Sequence, residues 1–388
     1  MGANTFSIGA FPTILPELGA AARLPDWQLG TVAAAFGFAR MVADVPAGLF
    51  ITHHLRRALV LAPLFLAAGA VCLGAGGPLW LLLLGRALMG AGHTLSMVAG
   101  LTAVLRHREA SRLAASLSSI ELTATLGVLG GVTVIGLLPR SLPWNWAFAL
   151  TCSPLLLGAV LVPATLAVLP REPAGSRPLF ARAQRVARRA GDDVVRAPWL
   201  GALAFAAGGA VALTYATLDG FLIPLRASRE FEFDRVGLAR LLMVPQVLDI
   251  VALLPVGVLA DRRGPARVHG VLLLVFGAGA ALVGFGGLWM VVAGCALYGV
   301  AMSGWMLPLG VLRAVTEPAQ IAWRTALYRV VVDGGLCLGP FLTGLLWERH
   351  PRLLPGMMAV ALVVIGLALI ARGPLRAPAR VSAPSPSG

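Results

Sequence analysis

Arg40 and Asp44 stand four residues apart, and so do Arg329 and Asp333. At that spacing each pair shares one face of a helix, and each lies inside a long apolar run. A charge in such a run is costly, and it faces a cavity or a partner. The same constraint falls on two carboxylates, Glu121 and Asp249, and on Arg86 and His93, seven residues apart on one stripe with Gly90 between them. Two carboxylates brought together in low dielectric cannot both ionise comfortably, which is what a site that loads and unloads a proton requires. The bland alternative is that one of them pairs with Arg112 and is structural. His93 titrates in the useful range, although a lone histidine on a helix face is more often a packing residue. Asp219, one turn after Tyr215, suits a substrate contact or, as the preferred reading, a residue in interfacial water. Asn4, Thr5 and Trp305 could line a cavity, with ordinary helix packing as the blander account.

The chain has no HExxH, GxSxG or GxxxxGK[ST] pattern and no His/Asp cluster, so hydrolysis, metal catalysis and direct use of ATP find no residues to carry them. Cys72, Cys152, Cys295 and Cys337 all fall inside apolar runs without CxxC spacing, which argues against disulfides and a zinc site. No cofactor and no metal are expected.

The elements that must position these residues are membrane spans. Of 388 residues 58% are hydrophobic and 12% charged, against about 25% charged in a soluble domain. Apolar segments long enough to cross about 30 Å of hydrocarbon recur along the whole chain. They fall at roughly 1–17, 27–51, 58–77, 79–104, 112–137, 145–169, 199–224, 234–259, 267–287, 288–315, 323–346 and 352–372, and are numbered spans 1 to 12. The first is short: Met1 to Pro16 makes about 24 Å of helix, so the true start of the chain is expected upstream.

The net charge is +14 and every basic residue outside histidine is arginine. The arginines gather in joints 2–3 (Arg56, Arg57), 4–5 (Arg106, Arg108, Arg112), 8–9 (Arg262, Arg263, Arg267), in the long joint 170–198 and in the tail. These share one side of a twelve-span chain. That side is therefore read as cytoplasmic, with both termini on it, in a bacterial inner membrane. Topology accounts for the basic charge better than nucleic-acid binding does. The chain divides into a first half, 1–169, a linker, 170–198, whose Arg182, Arg185, Arg188 and Arg189 suit a helix on an anionic leaflet, a second half, 199–372, and a Pro- and Ser-rich tail, 373–388, expected to be disordered. One offset relates the halves: Pro46, Gly48, Gly85, Ala87, Leu88, Gly90 and Gly130 fall on Pro255, Gly257, Gly294, Ala296, Leu297, Gly299 and Gly339. Parallel six-span repeats imply a pseudo-two-fold axis along the membrane normal and a central cavity.

The joint after span 8 reads Gly257-Val-Leu-Ala-Asp261-Arg262-Arg263-Gly264, and span 4 reads Arg86-Ala-Leu-Met-Gly90-Ala-Gly92. These resemble the cytoplasmic loop motif and the proton-transfer motif of the major facilitator superfamily. Span 11 carries Gly335-Leu-Cys-Leu-Gly339-Pro340, similar to that family's antiporter motif, which its members carry on span 5. The first-half loop motif is eroded, with Thr52 in place of the Asp. The resemblance implies an all-α membrane protein of twelve helices in two six-helix halves, here with a shortened first helix. It implies that spans 2 and 11 face each other, so that Arg40 would meet Asp333 and Asp44 would meet Arg329 in a latch closing the cytoplasmic side. It brings spans 5 and 8 together, and Glu121 near Asp249. It gives Arg86 a part in proton transfer, and Gly257, Asp261, Arg262 and Gly264 a conformational one.

The expected function is secondary transport of a small organic solute by proton-coupled efflux, an antiport. The runner-up is proton-coupled uptake of a small metabolite, for which Arg40, Arg86 and Arg329 would suit an anion. A transport-dead receptor or scaffold is a distant third, and an enzyme is not expected. The partners expected are the solute, protons and the bilayer, with no nucleic acid and a monomeric protein.

Overall fold

The computed structural model describes residues 2–107, 113–169, 198–317 and 320–372. Arg108, Arg112, the linker's arginines and the tail lie outside the described residues. Everything regular within them is helical. Ten helical stretches are long and apolar enough to cross a bilayer. One of them, Asp26–Ala75, has 50 residues, or about 75 Å of helix. That is two crossings, and the chain bends between them at His54, whose φ of −136° and ψ of 42° leave the helical region. With span 1, the described residues make twelve passes.

Span 1 is longer than its sequence suggests. The helix runs Gly2–Ala22, 21 residues through Pro12 and Pro16, about 32 Å and enough to cross. The shortened first helix is thus corrected. The extension carries Glu17 to the membrane edge, where an arginine meets it, as described below.

Two other spans are interrupted. Span 6 is built of Trp144–Thr151, Pro154–Val160 and Val162–Val168, with prolines opening the second and third pieces; a proline lacks the N–H that would continue the ladder. Span 10 stops at Met302 and restarts at Leu307, with Pro308 in the new first turn. Span 7 stays helical from Pro198 to Arg229, but Leu218–Leu222 is wound as a π-turn.

The duplication read from the sequence reappears as matched packing. A Cβ on Gly85 would meet the Gly69 carbonyl of span 3 at 2.9 Å, and one on Gly294 would meet the Gly279 carbonyl of span 9 at 2.8 Å. Gly90 lies against the Phe36 carbonyl and Gly299 against that of Pro245, at 2.4 and 2.5 Å. The repeat keeps glycine where two helix backbones touch. The turn into span 2 and the turn into span 8 are also alike: Arg23 and Glu232, one repeat offset apart, have φ of 50° and 54°. Each half has its own apolar core. The first is built around Phe11 and Phe148, the second around Phe276 and Tyr298, and Phe221 and Leu225 of span 7 pack into the first. Many large apolar side chains point outward, Trp289 with 82% of its surface exposed, as a lipid-facing exterior requires.

The halves meet most closely on the side away from the arginine-rich joints. Gly30 of span 2 lies against the Pro340 carbonyl and Gly344 of span 11, and Gly136 of span 5 against Ala239 of span 8. Toward the arginine-rich side the contacts thin out. Leu49 and Trp323 are each 67% exposed and Leu254 78%, and the repeat-related Gly48 and Gly257 face open space.

Candidate functional site: a charged cavity between the halves

Spans 2 and 11 carry their charges to the same two levels. Arg40 reaches Asp333 at 2.7 Å, and Arg329 reaches Asp44 with its Nη2 and Nε at 3.0 and 3.2 Å. Neither i, i+4 pair closes on itself. Asp333 is buried and Asp44 nearly so. These four charges join the halves just before spans 2 and 11 part.

Next to them lies a cavity of about 220 Å³. Both halves line it. Arg40, His93 and Met97 come from spans 2 and 4, and Glu121 from span 5. The second half supplies Tyr215, Gln246, Asp249 and Tyr298, then Ser303 and Trp305 from the interruption in span 10. Non-helical backbone at membrane depth is tolerated where it lines a cavity, and here the break turns Trp305 inward, edge-on to Tyr215 with 6.0 Å between ring centroids. Glu121 of span 5 and Asp249 of span 8 thus line one cavity. Neither has an ion-pair partner among the described residues.

Some expected site residues lie elsewhere. Asp219 is not in interfacial water: it is buried in the π-turn of span 7, where it accepts the Tyr298 hydroxyl proton at 2.5 Å. It stands behind the cavity wall instead of lining it. π-turns inside α-helices concentrate at functional positions, and this one carries the most buried carboxylate of the second half after Asp333. Asn4 also misses the cavity; its Nδ2 donates to Ser96 Oγ at 2.8 Å between spans 1 and 4. Arg86 is buried away from the cavity, its guanidinium carbon 3.6 Å from the ring centre of Phe11 and 4.8 Å from that of Phe36. Its Nε and Nη1 have no hydrogen-bond partner. His93 stays on the cavity with its Nδ1 unpartnered.

Three inter-half ion pairs on the side away from the arginine-rich joints were not foreseen. Arg235 holds Glu17 with two bonds, at 2.6 and 2.9 Å, and donates to the Leu142 carbonyl. Arg229 holds Asp26 with two bonds, at 2.6 and 3.0 Å. Arg140 pairs with Asp234. The signal was in the sequence: Glu17 and Asp26 bracket the joint between spans 1 and 2, and the 7–8 joint is dense in arginine. Tyr298 and Gln246 were missed because a lone polar residue in an apolar span gives no pattern.

Residues 1–227, more than half of the chain, match the sequence profile of the Major Facilitator Superfamily. The chain belongs to that superfamily. Uncharacterized MFS-type transporter YcaD of Salmonella dublin is 30% identical over 145 residues, and so is that of Salmonella enteritidis. The match takes in 36% of this chain and spans 38% of the length of these relatives. Among solved structures, a peptide transporter POT in complex with sulfate superposes with a TM-score of 0.74 at 14% identity, covering 95% of this chain and 92% of that one. The nucleoside transporter NupG superposes at 0.71 and 14%, covering 95% and 96%. At such identities the likeness is one of fold.

The segment Gly257–Gly264, which resembles the superfamily's loop motif, lies at the arginine-rich end of span 8. Gly264 ends that helix at a φ of 87°, a conformation open to glycine. Asp261 and Arg262 are exposed and form no ion pair with each other or with another described residue, and Gly257 has open space where a partner helix could close.

Proposed function

We propose that this superfamily member is a secondary transporter of the bacterial inner membrane that exchanges protons for a small organic solute, exporting the solute by alternating access. The observation that carries this reading is that Glu121 and Asp249, one from each half, line one central cavity and that neither has an ion-pair partner among the described residues. Partly buried carboxylates without a cation beside them take up protons more readily than paired ones, and a site shared by the halves is touched by both when they rock. The cavity lies below the ~300–1,000 Å³ of drug-sized pockets, which favours a small solute. The likeness to peptide and nucleoside transporters agrees with a small organic molecule.

In this reading the arginine-rich side is cytoplasmic, with both termini on it, and the protein works as a monomer. The Arg40–Asp333 and Asp44–Arg329 pairs form the latch on the cytoplasmic side of the cavity. Asp261, Arg262, Gly257 and Gly264 take part when that side closes further. His93 passes protons along the cavity wall, with Arg86 holding the field around it.

The test uses inverted vesicles with an acid interior and a pH-sensitive dye, screening a panel of amines, carboxylates and neutral compounds. Discharge of the gradient by some compound is expected with the unmutated protein and not with Glu121→Gln/Asp249→Asn. Accumulation of labelled metabolites in right-side-out vesicles, with no discharge by any compound, would replace export with uptake. Coupling that survives the double substitution would remove the carboxylates from the mechanism.

A further inference from the structure

With the central cavity taken as the solute site proposed above, we infer that its solute is a small organic amine, bound as its cation, with an aromatic or otherwise apolar body. The first ground is charge. Each arginine near the cavity is already matched, Arg40 by Asp333 and Arg329 by Asp44, while Arg86 is boxed in by Phe11 and Phe36 away from the cavity. Among the described residues, Glu121 and Asp249 are left as the unmatched charges of the wall. A carboxylate in a partly buried wall attracts a cation more strongly than one in bulk water, because the surrounding protein screens it less. An anionic solute would meet carboxylate charge and, among the described residues, no free cation.

The second ground is hydrogen bonding. An ammonium group offers donors and no acceptor, so its site needs acceptors. Tyr298 gives its proton to Asp219 at 2.5 Å, and its hydroxyl oxygen is thereby left to accept. Asp219 acts here as a positioning residue, setting the polarity of Tyr298 from behind the wall. With the carboxylates of Glu121 and Asp249, three acceptor groups line one cavity.

The third ground is the apolar part of the wall. Tyr215 and Trp305 stand edge to face, and aromatic faces attract organic cations. Met97, Met302 and Met306 line the cavity beside them, giving a polarizable surface that fits varied apolar bodies. Amine and proton then contend for the same two carboxylates, so loading one expels the other, which is the condition for exchange. The other titratable and charged groups facing the carboxylates are Arg40, His93, Tyr215 and Tyr298.

Three probes of one shape separate the charge types: 2-phenylethylamine, 3-phenylpropionate and 2-phenylethanol. Titrated calorimetrically into the purified full chain in nanodiscs, the amine is expected to bind at least about tenfold more tightly than either of the others. Glu121→Gln and Asp249→Asn are each expected to weaken it about tenfold or more, and Glu121→Asp, which keeps the charge, to retain it. Acidification is expected to weaken the amine and leave the alcohol unchanged. Equal or tighter binding of the phenylpropionate, no binding of the amine, or amine binding indifferent to both amide substitutions would overturn the assignment. Amine binding without discharge of the vesicle pH gradient would leave the assignment standing and remove the exchange reading. Discharge by some other compound, with no amine binding, would do the reverse.

Discussion

Residue scale. Asp333 is 1% exposed and depends on Arg40 for its countercharge. Removing one member of a buried ion pair strands the other, at a cost of about 3–5 kcal/mol. Arg40→Ala is therefore expected to lower the unfolding midpoint of the purified protein strongly. The double substitution Arg40→Asp/Asp333→Arg is expected to recover most of the loss in stability and in transport. A double substitution no better than Arg40→Asp alone would mean that the pair does not act as a unit. The residues that could be found from sequence were those whose charge was out of place in an apolar run: Arg40, Asp44, Glu121, Asp249, Arg329 and Asp333. Tyr298, Gln246 and the true setting of Asp219 were not legible, because an uncharged polar residue or a carboxylate near a span end has several cheap environments. Only the neighbours decide among them.

Element scale. Helices in lipid pack by close backbone approach, without a hydrophobic drive between them. Gly299 shows how tight this is: a Cβ there would meet the Pro245 backbone at 2.5 Å, whereas one on Gly257 would meet nothing within 4 Å. Gly299→Ala is expected to destabilise by about 1–3 kcal/mol, the cost of overpacking, and Gly257→Ala to leave the unfolding midpoint unchanged. If Gly257→Ala nevertheless slows transport, the empty space beside it is filled in another state of the cycle. Thermal unfolding together with vesicle flux separates the two effects. Helix number and most boundaries followed from apolar runs, and the glycines of the repeat offset marked the contacts between neighbours. The extension of span 1 through Glu17, the π-turn around Asp219 and the break at Ser303–Met306 did not follow. The first two depend on partners from distant spans, Arg235 for Glu17 and Tyr298 for Asp219.

Whole-molecule scale. The two halves are held together, away from the arginine-rich joints, by Glu17–Arg235, Asp26–Arg229 and Arg140–Asp234. In the proposed alternating-access cycle this side opens, and these pairs break in the other state. Neutralising two of them in Glu17→Gln/Asp26→Asn is expected to shift the population toward that state. In a background with the four native cysteines replaced, Val132→Cys reports the shift. Val132 is 2% exposed and packs into the core of the second half, so its thiol is expected to react several-fold faster with a water-soluble maleimide once the pairs are neutralised. An unchanged labelling rate would show that these pairs do not set the balance.

What the amino-acid sequence determined by itself is what the bilayer dictates locally. Length and hydropathy set the spans, the arginines set their common side, the offset between Gly85 and Gly294 or Gly90 and Gly299 set the duplication, and misplaced charges marked the middle of the molecule. Each of these is a property of a segment in its solvent, and it can be read one segment at a time. The tertiary structure alone decided that Glu17, Asp26 and Asp234 meet arginines across the halves, that Glu121 and Asp249 have no cation beside them among the described residues, and that Asp219 leaves the Tyr298 oxygen free to accept. Those are properties of pairs brought together from distant parts of the chain. In low dielectric the energy of a charge depends on its neighbour far more than on its own segment.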